Sequence, residues 1–377
     1  MSRWKGCSGL SSSIGDESRR LIIHFAQIPQ GRPSGVGSVI HDSVLAQRVL
    51  PDTECRLVIA TARDLDDRFT PIAEPARCVF SAIGALRTHG AEKVAVLHGV
   101  YAPQIVLIGM LLWLLRIPYV VVAHGAFSEA TLQKSPRKKA VWRIIALQPL
   151  IRGARGVQYL SEGERAASVL STKRDFIVPN FVSIPDREKQ WDTNDAGPVY
   201  LYLGRFDIHH KGLDLLIEAA GEIADILRER SVSIHLVGPD HGGSGDVIRK
   251  LVRDSGVTDI VRIRPAVSGE AKEAEFLGAD CFLHTSRYEG EPTAVLEAMS
   301  YGLPVLVTRG TNMYTQVRDG DFGWVCETNA EQVREAILRS LDETESWSEK
   351  GDRGRQWIIQ NRSAVGIVEA QVNSYFG

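Results

Sequence analysis

The stretch Tyr288-Glu-Gly-Glu-Pro-Thr-Ala-Val-Leu-Glu-Ala-Met-Ser-Tyr-Gly-Leu-Pro-Val-Leu-Val-Thr308 decides how the chain is read. Before it, the apolar run at 281–285 has the composition of a buried strand. Pro292 suits the first position of a helix, and Gly302 with Pro304 ends that helix ahead of a β-branched run at 305–308. Strand, turn, helix and strand in that order make one unit of a parallel α/β sheet. Glu289 then lies on the loop beyond a strand's carboxyl end, where open α/β sheets bind ligands, and Glu297 sits about one and a half turns into the helix. Free amides at Thr293, Ala294 and Val295 are expected to face the same crevice, because a helix start of this kind holds phosphate. A pyrophosphate flanked by two acids that take hydroxyl groups is chemically coherent. A solvated pair of glutamates is the plain alternative.

Working outward, 377 residues is long for one core and natural for two domains, and a hydrophobic content of 44% supports a well-buried globular protein. The net charge of -2, from 44 basic and 46 acidic residues, gives no general affinity for nucleic acid. Cys7, Cys55, Cys78, Cys281 and Cys326 are scattered, odd in number and without paired spacing. Neither a disulfide framework nor a zinc site is indicated, and a reducing cytoplasm fits. Residues 1–20 lack the apolar core of a signal peptide and read as a loose tail. The most hydrophobic stretch, 105–122, approaches a membrane span of roughly 20 residues. Arg116 and Pro118 interrupt it, so helix, break and strand is the better parse.

Short β-branched runs alternate twice with longer amphipathic segments, the mark of two parallel-sheet domains. Expected strands in the first half lie at 21–25, 56–60, 94–97, 119–123, 156–160 and 176–178. Those in the second half lie at 199–203, 233–237, 260–263, 280–285 and 305–308. Between them 179–198 carries Pro, Asp, Asn, Lys and Gly with little periodicity and reads as a link. The expected layout is a tail at 1–20, a first domain at 21–185, a second at 186–355 and a terminal helix at 356–377.

A second informative block is Tyr200-Leu-Tyr-Leu-Gly-Arg-Phe-Asp-Ile-His-His-Lys-Gly-Leu-Asp-Leu-Leu-Ile217. Arg205 is expected to end a strand and Lys211 to open the next helix, at the same sheet edge as Glu289. Cations there stabilise the charge that a departing diphosphate develops. The two blocks together resemble the retaining glycosyltransferases of family 4. Glu289 and Glu297 match the glutamate-x7-glutamate signature, with Gly290, Leu296-Glu297-Ala298, Gly302 and Pro304 in step, and Arg205 with Lys211 matches the Gly-Arg…Lys-Gly diphosphate clamp. The sequence departs from that pattern at Glu291, where the family has a large apolar residue, and at Pro292, often glycine there.

The resemblance implies a GT-B fold: two Rossmann-like domains facing a central cleft, with a C-terminal helix crossing back to the first. It implies transfer of a hexose-type sugar from a nucleotide-diphosphate sugar to an acceptor hydroxyl with retention of configuration. Glu289 would position the sugar hydroxyls and Glu297 would hold the ribose, with Gly290, Thr293, Ala294 and Val295 beside the donor. Gly238, after another strand, would let the backbone approach the nucleotide, and Val267 resembles the position that meets the base.

In the first half, Gln30-Gly-Arg-Pro-Ser-Gly-Val-Gly-Ser-Val-Ile40 has glycines at Gly35 and Gly37 but Ile40 where a dinucleotide fingerprint needs a third. It resembles instead the family's loop over the donor phosphates, with Gly35 the candidate. His124, after the 119–123 run, resembles the donor-sugar histidine; His98-Gly99 is a similar candidate for the acceptor side. Residues 134–155 hold Lys134, Arg137, Lys138, Lys139, Arg143, Arg152 and Arg155, without an acid and with apolar residues interleaved. This suits a helix lying on an anionic bilayer, hence a peripheral enzyme with a glycan or lipid-linked acceptor in cell-envelope polysaccharide or glycolipid synthesis. A core-packed helix with a basic outer face is the competing reading.

Asp64-Leu-Asp66 and Asp319-Gly-Asp321 fit the acid-x-acid pattern of metal-using glycosyltransferases, but cations already supply the required charge. The expectation is therefore no metal and no cofactor, with Glu289, His124, Arg205 and Lys211 as the catalytic set. A sugar phosphorylase, a nucleotide-sugar epimerase and a silent nucleotide-sugar-binding protein are the alternatives.

Overall fold

The computed structural model describes residues 20–28, 35–61, 69, 71–88, 92–127, 142–170, 172, 174–191 and 197–377. Expected features at 1–19, around Asp64 and Asp66, at 29–34 and at 128–141 lie outside these residues, and with them most of the cations of the basic segment.

The β-branched runs form two sheets. The first contains β1 (Arg20–Ala26), β2 (Thr53–Ile59), β3 (Ala73–Pro75), β4 (Lys93–His98), β5 (Tyr119–Val122), β6 (Gly156–Tyr159) and β7 (Asp175–Ile177), in the order β3-β2-β1-β4-β5-β6-β7. The second contains β8 (Val199–Leu203), β9 (Ser233–Val237), β10 (Val261–Arg264), β11 (Cys281–His284), β12 (Val305–Thr308) and β13 (Gly323–Cys326), in the order β10-β9-β8-β11-β12-β13. Every pairing of named strands is parallel. Parallel strands are covered on both faces, which is why they read as unbroken apolar runs. In each sheet the strand order reverses between the first strand and its later neighbour, β1 beside β4 and β8 beside β11. A crevice opens at the carboxyl ends of such pairs.

The two chain-terminal helices span Trp347–Asn361 and Ala364–Phe376. The first packs on helix Thr293–Ser300 of the second domain. The second returns to the first domain, where Val372 and Tyr375 join Ile22, Val94 and Val96 in one buried cluster. The return therefore occurs at 362–363, some residues beyond 356. The outgoing link lies alongside it: the Val182 amide donates to the Arg362 carbonyl at 2.9 Å. Both passages between domains thus run through one place. The domains also meet at Gly125 and Gly290, so closely that a Cβ on Gly290 would stand 3.2 Å from the Gly125 nitrogen.

Residues 105–122 resolve as expected into helix Pro103–Leu114, a break at Arg116 with φ 55°, and β5. Among the described residues no helix is long and apolar enough to cross a membrane.

Candidate active site

The β11 strand delivers its carboxyl end to the crevice, and the turn that follows carries Glu289. This side chain is 11% exposed. The Lys211 ammonium donates to Oε1, the Ser286 hydroxyl donates to the same atom at 2.9 Å, and His284 Nε2 lies 3.1 Å from it. His210 stands 3.9 Å from Oε2, with its ring stacked on Tyr288 at 4.3 Å and its Nε2 on the Tyr288 carbonyl at 2.7 Å. Burial by itself would raise the Glu289 carboxyl. Lys211, His284 and His210 outweigh it and hold the group well below the usual carboxylate range. Glu289 is therefore a fixed anion that accepts hydrogen bonds and has no proton to give at neutral pH. Ser286 and His284, which sequence reading passed over, complete this anchor; a lone histidine inside an apolar strand carries no signal by itself.

Lys211 ends, and does not open, its helix. A single turn, Ile208–Lys211, starts under the Asp207 side chain, which accepts from the His210 amide at 3.1 Å. Gly212 then adopts φ 61°, where a Cβ would stand 2.1 Å from the Thr285 carbonyl. That left-handed step aims the lysine at Glu289. Arg205 likewise follows β8 and does not end it; it is exposed, and its guanidinium has no partner among the described residues.

The free amides expected at the helix start are mostly engaged. Pro292 precedes helix Thr293–Ser300 as its cap, with φ -83° and ψ 82°. The Thr293 amide donates to the Glu291 carbonyl at 3.0 Å and the Val295 amide to the Pro292 carbonyl at 2.9 Å. The tight 291–295 turn uses these donors itself, and only the Ala294 amide lacks a partner among the described residues. Glu297, on the same helix, receives Lys272 through both oxygens, at 2.6 and 2.7 Å. The pair borders an interdomain cavity of about 210 Å³, whose other walls include Ser38 and Asp42 of helix Gly35–Gln47, Phe181 and Thr293. Gly35 begins that first-domain helix, and among the described residues nothing lies within 4 Å of where a Cβ would stand.

Gly238 has a packing reason for its identity: a Cβ would stand 1.8 Å from the Gly204 carbonyl, because the ends of β8 and β9 abut there. Val267 is half-buried against the core under helix Thr293–Ser300. His124 follows β5 with φ 45°, an uncommon conformation for a side chain with a Cβ, and its Nε2 meets His98 Nδ1 at 2.9 Å. The next residue, Gly125, touches Gly290, so His124 and Glu289 come from opposite domains to the same region of the crevice.

Glu291 takes an unexpected position. Its Oε2 accepts from the Asn180 amide at 2.8 Å, and its Oε1 lies 3.4 Å from Arg362. One side chain thus touches both passages between the domains. Burial, with Glu164 adding to it against the opposing pull of Arg362 and the Asn180 amide, pushes this carboxyl up to about 7. Glu164, raised by burial too, accepts from the Leu160 amide at 2.6 Å and from Gly125.

The second acid-x-acid triplet is occupied by cations: Asp319 pairs with Arg318 at 2.8 Å, and Asp321 with Lys350 at 2.5 Å and Arg353 at 2.6 Å. Leu107, Trp113, Leu114 and Ile145 are exposed, and helix Pro103–Leu114, which carries the first three, packs on Gln148–Gly153 within the basic segment.

Residues 183–357 match the family described as glycosyl transferases group 1. A lipopolysaccharide core biosynthesis glycosyltransferase of Rhizobium meliloti is 30% identical over 211 residues, 54% of this chain and 58% of that protein. A D-inositol 3-phosphate glycosyltransferase of Geodermatophilus obscurus is 28% identical over 258 residues, 62% and 57% of the two chains. The matched stretch thus spans less than two thirds of either relative. Among solved structures, a sucrose-phosphate synthase from Thermosynechococcus elongatus superposes with a TM-score of 0.75 at 17% identity, covering 95% of this chain and 98% of its own. HepE of Anabaena in complex with UDP gives 0.72 at 15% identity, covering 94% and 98%. The two-sheet architecture is therefore the GT-B fold, and the stretch similar to the glycosyl transferases group 1 family, residues 183–357, makes up most of its second half.

Proposed function

We propose that the protein is a retaining glycosyltransferase that moves a hexose-type sugar from a nucleotide-diphosphate sugar to an acceptor hydroxyl. The observation that carries this reading is the charge arrangement at the second-domain crevice. A buried, ionised Glu289 is held by Lys211, Arg205 stands at the neighbouring strand end with its guanidinium unpaired among the described residues, and Glu297 borders the cavity between the domains. The named activities of the relatives support sugar transfer, and the UDP complex of a structural neighbour supports a nucleotide-sugar donor.

In the reaction the bond from the anomeric carbon to the phosphate oxygen breaks, and a bond to the acceptor oxygen forms on the same face. The acceptor's proton passes to the departing phosphate oxygen. Arg205 and Lys211 neutralise the growing diphosphate charge. Glu289 accepts hydrogen bonds from sugar hydroxyls and offsets positive charge at the anomeric carbon, Glu297 accepts from the ribose, and His124 contacts the sugar. Gly35 faces the phosphates, with Gly238, Val267, Gly290 and the Thr293–Val295 turn beside the nucleotide. No metal is required. The acceptor is a glycan or a lipid-linked glycan at an anionic membrane surface, met through 134–155 and its exposed apolar neighbours.

The test is to incubate the protein with a panel of nucleotide-diphosphate sugars and polyprenyl-linked or glycan acceptors, and to read the product's anomeric configuration by NMR. A product of inverted configuration, or donor breakdown that depends on inorganic phosphate, overturns the assignment. Failure to sediment with anionic liposomes at low salt overturns the membrane part alone.

A further inference from the structure

Behind His124 a line of buried polar groups runs through the first domain to the C-terminal helix. His124 Nε2 meets His98 Nδ1 at 2.9 Å, and His98 Nε2 meets His24 Nδ1 at 2.9 Å. His24 Nε2 meets Gln47 Oε1 at 2.9 Å, Gln47 Nε2 meets Gln371 Oε1 at 2.8 Å, and Gln371 Nε2 meets Gln158 Oε1 at 3.5 Å. The line ends where Gln158 Nε2 lies 3.0 Å from the Val178 carbonyl.

That last contact sets the direction of the rest. A backbone carbonyl only accepts, so Gln158 presents its NH2 there and its oxygen to Tyr375 and Gln371. Gln371 must then offer its oxygen to the Gln47 NH2, and Gln47 its oxygen to His24. The Cys55 thiol, 3.3 Å from that same oxygen, agrees with this orientation. His24 consequently carries its proton on Nε2 and accepts at Nδ1, and His98 does likewise. His124 must donate from Nε2, which leaves Nδ1 a lone pair without a partner among the described residues. Burial lowers the basicity of all three rings, and His24 and His124 fall to about 4, so none carries a second proton at neutral pH.

We propose that Gln47, His24 and His98 are positioning residues that hold His124 in its Nε2–H tautomer. His124 then meets the sugar through Nδ1, strictly as an acceptor, and selects a sugar whose hydroxyl at that point can donate. The sugar part rests on the transferase reading above; the tautomer part does not. The relay holds a proton in place and does not export one, since Gln47 cannot take up the proton that His24 would have to release.

Long-range 1H–15N spectra of the full-length, ligand-free protein at neutral pH test the tautomers directly. All three rings are expected to show Nε2–H, and His124 bearing its proton on Nδ1 overturns the proposal. In Gln47→Glu, which keeps an acceptor in place, His124 should retain its tautomer. In His24→Leu, which removes the acceptor for His98, the single tautomer of His124 should be lost; its persistence there also overturns the proposal. With donors in which each sugar hydroxyl in turn is replaced by fluorine, one position besides those that Glu289 contacts should raise KM about tenfold, the worth of one hydrogen bond. That discrimination should disappear in His24→Leu. A protein with the expected tautomers but no turnover of any sugar donor would refute the transferase reading and leave the relay standing.

Discussion

Replacing Glu291 by glutamine isolates the titration of one carboxyl at the junction of two domains. The wild-type group is 3% exposed and has an Oε1 without a hydrogen-bond partner among the described residues. Burial lifts it from its ordinary 4.5 to about 7. The folded protein therefore holds this proton more tightly than the unfolded chain does. The sign follows: the stabilisation is fully present below about pH 4.5, declines as pH rises, and is gone above about pH 7. Of a total near 3 kcal/mol, roughly 2.5 kcal/mol disappears between about pH 5 and about pH 8.5. With an unfolding entropy of about 2.1 cal/mol/K per residue over the chain, that corresponds to roughly 3 °C in Tm. Glutamine keeps an oxygen for the Asn180 amide and does not titrate, while Arg362 stays charged across this range in both proteins. Thermal unfolding of both proteins across the pH series provides the assay. Wild type should lose about 3 °C relative to Glu291→Gln on going from the acidic to the alkaline end. Parallel curves would refute the reasoning, because they would mean that the carboxyl is ionised at the same pH in both states.

Three further outcomes are expected. Glu297→Gln should raise the donor KM by roughly tenfold or more, because a charged acceptor's hydrogen bond is worth about 1.5–3 kcal/mol, with little change in kcat; an unchanged KM removes Glu297 from the ribose. Arg205→Ala should lower kcat by about 10²-fold or more, the scale for one transition-state donor, and leave Tm within about 0.5 °C, since the exposed guanidinium makes no hydrogen bond or ion pair among the described residues. Sugar transfer should persist undiminished in excess EDTA, because the diphosphate charge is met by Arg205 and Lys211; loss of activity restored by a divalent cation would sink that assignment.

The 281–308 unit was legible because each of its signals is local: an apolar strand, a turn proline, a helix and a glycine stop follow one another without interruption. The strands β8, β9 and β12 begin and end where the pattern of residues places them. β3 and β13 escaped because neither presents a β-branched run; one is three residues ending in Pro75, the other opens on Gly323. At the site, sequence spacing found Glu289, Lys211 and Glu297, but not that each acid is already paired with a lysine. Lys272 belongs to no motif and reaches Glu297 from 25 residues away. Glu291 looked like a mismatch because its partners lie on the two domain crossings, one of them 111 residues distant. The three histidines of the relay are separated by 74 and 26 residues, and only the adjacency of β1, β4 and β5 lines them up.

Helix Ala364–Phe376 emerges after the whole of the second domain, yet it covers a face of the first domain's sheet. On the ribosome, the strands that carry Ile22, Val94 and Val96 must wait with that face uncovered while the second domain is made. Domains usually mature in chain order; here the first domain is finished after the second. An arrest of translation shortly before residue 364 would therefore yield a folded second half joined to a first half with an open apolar face, a species suited to capture by chaperones.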